Sequence, residues 1–441
     1  MARTVEHLVG TYSAYRSHRL AYPPGPHASL HDFETTIGAE SHNHPGFMST
    51  PTVMEESQNT SRTLSLDLPG GSDICHVSII NTTCDITVPP HYLVEPKIPG
   101  YEWINLPTFS YYIKHERLGT ELLFDLGARA DWQNHVPHIS GLIQGHVQGV
   151  KIEQDVQDIL ANGNVDICNI DTFVLSHWHF DHCGAPSKLP KSVKMVVGPG
   201  FREAFMPGYP TRQDSPFHEA DFEDREVVEL SFSDSLQIGQ FKAHDFFGDG
   251  SFYILDVPGH AVGHMAGLVR TTQDTFVLLG ADTCHFAGSI RPSKYIPIPD
   301  IIPEGSALDR RLPRPCLCGG FLSSHPHGED GRSEPFTHIS TDAATFYKDP
   351  IVAEKSVLGL MEFDADPRVL VTIAHDPAAL DVYEFFPRGS LNDWQQKGWK
   401  EAARWGFLSE LPYNGKTVRP LLVDGLYKQG RKIRGLELPE A

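Results

Sequence analysis

The chain has 441 residues, of which 40% are hydrophobic and 21% charged, and its formal charge is −20; these are the proportions of an ordinary globular protein rather than of a disordered or membrane one. That charge argues against a polyanionic partner such as nucleic acid, and no run approaches the roughly 18 apolar residues that a membrane helix needs. Seven cysteines, an odd number thinly spread, predict reduced thiols rather than a disulfide framework. The opening MARTVEHLVGTYSAYRSHRL lacks the basic-then-apolar pattern of a secretory signal. The expected location is therefore cytoplasmic, and the Asn-x-Ser/Thr sites at Asn59 and Asn81 are expected to carry no sugar.

Residues 1–65 are polar and rich in Ser, Thr, His and Pro, with no sustained apolar period, and read as an N-terminal extension to a domain over 66–441. HVSIINTTCDITVP begins a β region, and FSYYIKH and ELLFDLG read as a hairpin around the polar turn from Glu116 to Gly119. In IEQDVQDILANGNV the apolar spacing of Ile152, Val156, Ile159 and Leu160 predicts an amphipathic helix stopped at Asn162 and Gly163. DTFVLS is a short buried strand, and VKMVVG, SFYILDVPG, AGLVRT and TFVLLGAD are further strands. A Pro- and Gly-rich stretch over about 288–338 is too long for an ordinary loop and reads as a lid-like insertion. ATFYKDPIVAEKSVLGLMEFD reads as helical on both sides of Pro350, and RVLVTIAHD supplies a last strand.

The chemistry concentrates in LSHWHFDHCGAP, where His177, His179, Asp181 and His182 fall within six positions on the loop leaving a strand. Four such groups would desolvate or repel one another in a plain core, and a metal is the simplest remedy. Three more histidine or aspartate motifs follow: PGHAVGH with His260, LLGADT with Asp282, and TIAHDP with His375. With these four motifs in this order, the chain resembles the metallo-β-lactamase fold superfamily over roughly residues 75–385, and within it the lactonase-like hydrolases. The resemblance implies an α/β fold, a four-layer αβ/βα sandwich. It also implies two zinc ions per chain, one held by His177, His179 and His260, the other by Asp181, His182 and His375, with Asp282 bridging both. A zinc-bound hydroxide would then be the nucleophile, with no serine or cysteine needed, and Asp181 and Asp282 would be catalytic as well as ligating.

Other residues carry competing readings. His264 reads as a support for the site rather than a ligand, and Asp125 as either the family's aspartate behind the metals or a strand-end cap. His285, three residues beyond Asp282, stands where some lactonase relatives have a tyrosine; it reads as a catalytic contact to the substrate carbonyl or leaving group, or equally as a loop histidine. Cys284 reads as a small buried residue, and Trp178 and Phe180 as packing or pocket lining. Cys316 and Cys318, followed by His325 and His327, have too short a spacing for a zinc knuckle and read as a surface loop. Trp394, Trp399 and Trp405, in a terminal helical region, read as core or lid packing, with an aromatic wall for a ring-shaped substrate as the alternative.

The predicted function is the opening of a small-molecule lactone or lactam ring. The main alternative is thioester hydrolysis of the glyoxalase II or acyl-thioesterase kind, for which Arg291, Lys294, Arg310, Arg311 and Arg314 would offer cationic contacts. A phosphodiesterase or nuclease is a minor alternative because the charge is −20, and a non-catalytic binding protein is disfavoured by the complete set of seven ligand positions. The partner expected is a small-molecule substrate, with no nucleic acid and no membrane; oligomeric state is not readable.

Overall fold

A computed structural model describes residues 64–232 and 236–437; the polar segment expected as an extension lies, up to residue 63, outside the described residues. The first strands are β1 (Cys75–Val88), β2 (Val94–Glu95), β3 (Ile104–His115), β4 (Glu121–Phe124), β5 (Gly149–Ile152), β6 (Ile170–Val174), β7 (Lys194–Val197) and β8 (Val227–Glu229). They are followed by β9 (Gln237–Ile238), β10 (Phe241–Asp245), β11 (Phe252–Asp256), β12 (Met265–Arg270) and β13 (Phe276–Leu279). Last come β14 (Ile301–Ile302), β15 (Cys316–Leu317), β16 (His338–Ile339), β17 (Val369–Thr372), β18 (Gly425–Lys428) and β19 (Arg431–Gly435). One sheet runs in the order β19-β18-β5-β1-β3-β4-β6-β7-β8 and the other in the order β17-β13-β12-β11-β10-β9.

The two sheets are the inner layers of a four-layer sandwich. Val77, Ile79, Phe109, Tyr111, Phe124 and Val174 of the first sheet share one buried cluster with Phe252, Ile254, Met265, Val277 and Leu279 of the second. Alternation along β1, where Val77 and Ile79 are buried and His76 is exposed, follows the two-residue period of a strand. The helix Val156–Asn162 covers the far face of the first sheet through Val156 and Leu160, which pack with Leu123, Phe173 and Met195. The helix Pro350–Ala365 covers the second sheet through Val357, Leu360 and Phe363. β13 is hydrophobic throughout and β17 up to its terminal Thr372, and every residue of both is buried, as in strands covered on both faces.

Three sequence expectations are corrected locally. Ile152 closes strand β5, and the helix begins only after Asp155, because the backbone at Asp155 is extended and Ile152 pairs with Cys84 of β1. ATFYKD is not helical: the helix starts at Pro350, whose ring disfavours helical geometry at the preceding residue, and the extended Asp349 caps it by accepting from the Val352 N–H. Cys316 and Cys318 are buried rather than in a surface loop, because the segment between about 288 and 338 folds inward. Ile298, Ile302, Leu312, Phe321 and Phe336 all enter the main core. The three tryptophans Trp394, Trp399 and Trp405 are buried, in line with a packing role.

Candidate metal centre

Strand pairing delivers the site. β13 and β17 run parallel with Leu279 opposite Thr372, so Asp282 and His375, each three residues beyond its strand, emerge side by side. A main-chain bond from Ala374 N to Ala281 O, 3.0 Å, ties the two turns together. Ala281 takes a left-handed φ of 43°, uncommon for a residue with a Cβ and confined by its surroundings. β6 ends at Val174, placing His177, His179, Asp181 and His182 over the same edge. His260 lies in the turn between β11 and β12, which pair antiparallel up to Asp256 and Met265.

All seven expected ligand positions converge. His260 Nε2 is 3.2 Å from His177 Nε2 and 2.9 Å from His179 Nδ1, and it is 3.3 Å from Asp282 Oδ2. On the other side Asp282 Oδ1 is 3.1 Å from His182 Nε2 and 3.2 Å from His375 Nε2, while Asp181 Oδ2 is 3.5 Å from His375 Nε2. Ligands about 2.0–2.2 Å from a tetrahedral ion stand roughly 3.3–3.6 Å from one another, and these separations run from 2.9 Å, somewhat below that range, to 3.5 Å, within it. His182 Nε2 and Asp282 Oδ1 are buried with no hydrogen-bond partner, an arrangement that costs free energy unless a cation takes up the lone pairs. The donor set fits a pair of divalent metals joined through Asp282.

The electrostatics differ between the two clusters. Burial holds His177 and His260 well below their usual pKa and brings His179 down to about 3, so these three are neutral and able to ligate at physiological pH. At His182 burial opposes the charge, but Asp282, Asp181 and Asp125 outweigh it and raise the pKa. Burial would lift Asp282, yet His182, His375, His285 and His177 pull it well below the ordinary carboxylate range.

Behind the ligands, Asp125 accepts from the Ser176 N–H at 2.7 Å, from Ser176 Oγ at 2.7 Å and from His182 Nδ1 at 2.9 Å. It is thus both the strand-end cap and the aspartate behind the site, in a left-handed conformation, φ 61°, that Asp tolerates better than most. His264 supports rather than converges: its Nδ1 donates to Val257 O at 2.7 Å, and its Nε2 accepts the Asp282 N–H at 3.1 Å. His285 enters the site, with Nε2 3.0 Å from Asp282 Oδ2. Cys284 is buried and its thiol is pushed far up by burial. Trp178 packs on Phe205 and Phe180 on His135.

Elsewhere Asp73, His115 and Asp249 also approach one another, but Arg117 already supplies the cation there, 2.6 Å from Asp73 and 3.1 Å from Asp249. Among the described residues Cys316 and Cys318 join no such group. Sequence reasoning overlooked Tyr347, whose hydroxyl is 2.7 Å from His285 Nδ1; it stands in a loop without a motif, and nothing in its neighbourhood signals the contact.

A buried, convergent set of histidines and aspartates at the ends of neighbouring strands defines a candidate metal centre, and the relatives of the chain make it a metallo-hydrolase. The chain belongs to the metallo-beta-lactamase superfamily, whose profile matches residues 103–310. It is 36% identical over 371 residues to the gamma-lactamase FDB1 of Fusarium pseudograminearum, covering 82% of this chain and 84% of that one. It is also 36% identical over 351 residues to the metallo-hydrolase mfmC of Annulohypoxylon moriforme, covering 78% and 90%. A quorum-quenching N-acyl homoserine lactone lactonase superposes with a TM-score of 0.46 at 15% identity, covering 72% of this chain and 98% of that one. No helix among the described residues is long and apolar enough to cross a membrane.

Proposed function

We propose that the protein opens the ring of a small-molecule lactone or lactam, using two zinc ions held by His177, His179 and His260 and by Asp181, His182 and His375, with Asp282 shared. The observation that carries this reading is the shared carboxylate, whose two oxygens each lie 3.1–3.3 Å from histidine nitrogens of a different cluster. Similarity to a protein named gamma-lactamase supports the substrate class. When bound, such a pair supplies a nucleophile available near neutral pH and a positive charge beside the scissile carbonyl.

The chain's own residues do the rest. Asp125 and Ser176 hold His182 and His177 in the ring orientation that aims Nε2 inward, since Ser176 Oγ is 3.0 Å from His177 Nδ1. His375 is aimed by Pro107 O, 3.0 Å from its Nδ1. His285 Nε2 lies 3.0 Å from Asp282 Oδ2, within the site, where it would donate a hydrogen bond to a bound carbonyl or leaving group. Of the five cations the thioester alternative would draw on, Arg291 is taken up in a buried two-pronged pair with Asp364, and Arg311 is paired with Asp309.

A panel of lactones, lactams and thioesters offered to the purified metal-loaded enzyme tests the assignment. Ring opening of a lactone or lactam is expected to exceed thioester cleavage in kcat/KM, and His285→Phe is expected to lower turnover about 10²-fold with two metals retained. Preference for thioesters would overturn the substrate class. Unchanged turnover in the variant would remove His285 from the reaction.

A further inference from the structure

Histidine 285 has two options in such a site: its Nε2 can carry a proton and donate, or carry a lone pair and ligate. Its Nε2 lies 3.0 Å from Asp282 Oδ2 and close enough to Asp282 and His375 that the three could themselves hold an ion. The choice is made at the other ring nitrogen. Histidines whose Nε2 ligates a metal ordinarily donate Nδ1–H to an acceptor, which leaves Nε2 free; here Asp125 Oδ2 receives His182 and Pro107 O receives His375 in that way. His285 Nδ1 instead faces the Tyr347 hydroxyl at 2.7 Å.

That hydroxyl is buried with Tyr347. Its own proton needs an acceptor, and Nδ1 is in place to be one. With Tyr347 O–H donating to Nδ1, the neutral ring carries its proton on Nε2 and directs it at the Asp282 carboxylate, which can only accept. The reverse tautomer would leave the phenol proton without this partner and bring a lone pair against the carboxylate, two losses in a dry site. Tyr347 is fixed to this task by its backbone: Lys348 N donates to His260 O and Asp349 N to Gly259 O, each at 2.9 Å, strapping the loop to the turn that carries the His260 ligand. Its ring also sits edge-on to His260, with centroids 5.0 Å apart.

We infer that Tyr347 is a positioning residue that sets the tautomer of His285, so that His285 presents an Nε2–H donor, held by Asp282 until an acceptor oxygen of the substrate takes it, and is not an additional metal ligand. The substrate half of this statement rests on the proposed hydrolase reading; the tautomer half does not. A specificity consequence follows for the same residue pair. A fixed neutral donor favours substrates that present an acceptor oxygen at that point, and the donor is lost if Tyr347 is.

The test uses full-length holoenzyme labelled with ¹⁵N in histidine, in two-bond ¹H–¹⁵N correlation spectra, with the His285 signals identified by their loss in His285→Phe. The parent is expected to show His285 with a protonated Nε2 and a lone pair at Nδ1, and no coupling to cadmium when ¹¹³Cd replaces the native metal. A lone pair at Nε2, or a cadmium coupling to His285, overturns the inference. Tyr347→Phe, which removes only the hydroxyl, is expected to keep two metals, to populate both tautomers and to lower kcat about 10-fold while changing KM less than 3-fold. In the His285→Phe background the same substitution is expected to have no further effect on kcat. Full additivity of the two substitutions would assign Tyr347 a merely structural role and refute the positioning role. If the protonated-Nε2 tautomer is found in an enzyme that opens no lactone or lactam, the substrate assignment fails while the tautomer assignment stands.

Discussion

Replacing Asp125 by Asn changes one atom in the support of the site and isolates what that support does. Asn keeps a short polar side chain suited to the left-handed φ of 61° and keeps an oxygen for the Ser176 N–H, 2.7 Å away. The new NH₂ falls where Oδ2 now accepts from His182 Nδ1 at 2.9 Å, so two donors face each other. His182 relieves the clash by moving its proton to Nε2, the nitrogen that lies 3.1 Å from Asp282 Oδ1 and that would have to ligate. Loss of such a supporting partner weakens metal affinity about 10- to 100-fold, equivalent to about 1.4–2.7 kcal/mol. The cluster of His177, His179 and His260 has no bond to Asp125 except through Ser176 and is expected to keep its ion. Equilibrium dialysis against graded free zinc, with metal per chain read by emission spectroscopy, should give two plateaus in Asp125→Asn where the parent fills both sites together. Two metals bound with parental affinities would refute the reasoning about His182.

Asp282→Ala should abolish retention of both metals and activity, whereas His264→Ala, which removes only the acceptor for the Asp282 N–H, should weaken metal binding by no more than about 100-fold; equal losses in metal analysis would overturn the division between ligand and support. Gly198→Ala would place a Cβ 2.0 Å from Gly263 O beside the His260 turn, and chemical denaturation should show a loss of at least about 1–3 kcal/mol, while Gly141→Ala, on the exposed face of the helix Pro137–His146 with nothing within 4 Å, should gain about 0.5–1 kcal/mol. Glu410 is lifted by burial to about 7, against the opposing pull of Arg419 and Asn105. Because the folded state then holds this proton more tightly than the unfolded chain, its contribution to stability is full below about pH 4.5 and declines up to about pH 7. Melting temperatures across that window should fall less in Glu410→Gln than in the parent, and a steeper fall in the variant would contradict the assignment.

The residues that converge on the candidate metal centre were legible in the sequence because their spacing is local: His177 to His182 span a single strand-to-helix turn, and His260, Asp282 and His375 each follow an apolar strand. The strands themselves were legible wherever burial on both faces left continuous apolar runs, as in FVLL at Phe276–Leu279. Helix limits were less so. Ile152 satisfies the helical period as well as the strand to which it belongs, and only pairing with Cys84 decides between them. The tertiary structure also decided what side chains do once their surroundings are known. Arg291 looks like a cation for a substrate until Asp364 is found against it, and Cys316 and Cys318 look like loop residues until their segment folds into the core. His285 and Tyr347 are 62 positions apart, and the hydrogen bond between them depends on two main-chain bonds that strap one loop to another. Local residue types determine which atoms can ligate or donate; which nitrogen holds the proton is set by a neighbour that the fold alone brings within 2.7 Å.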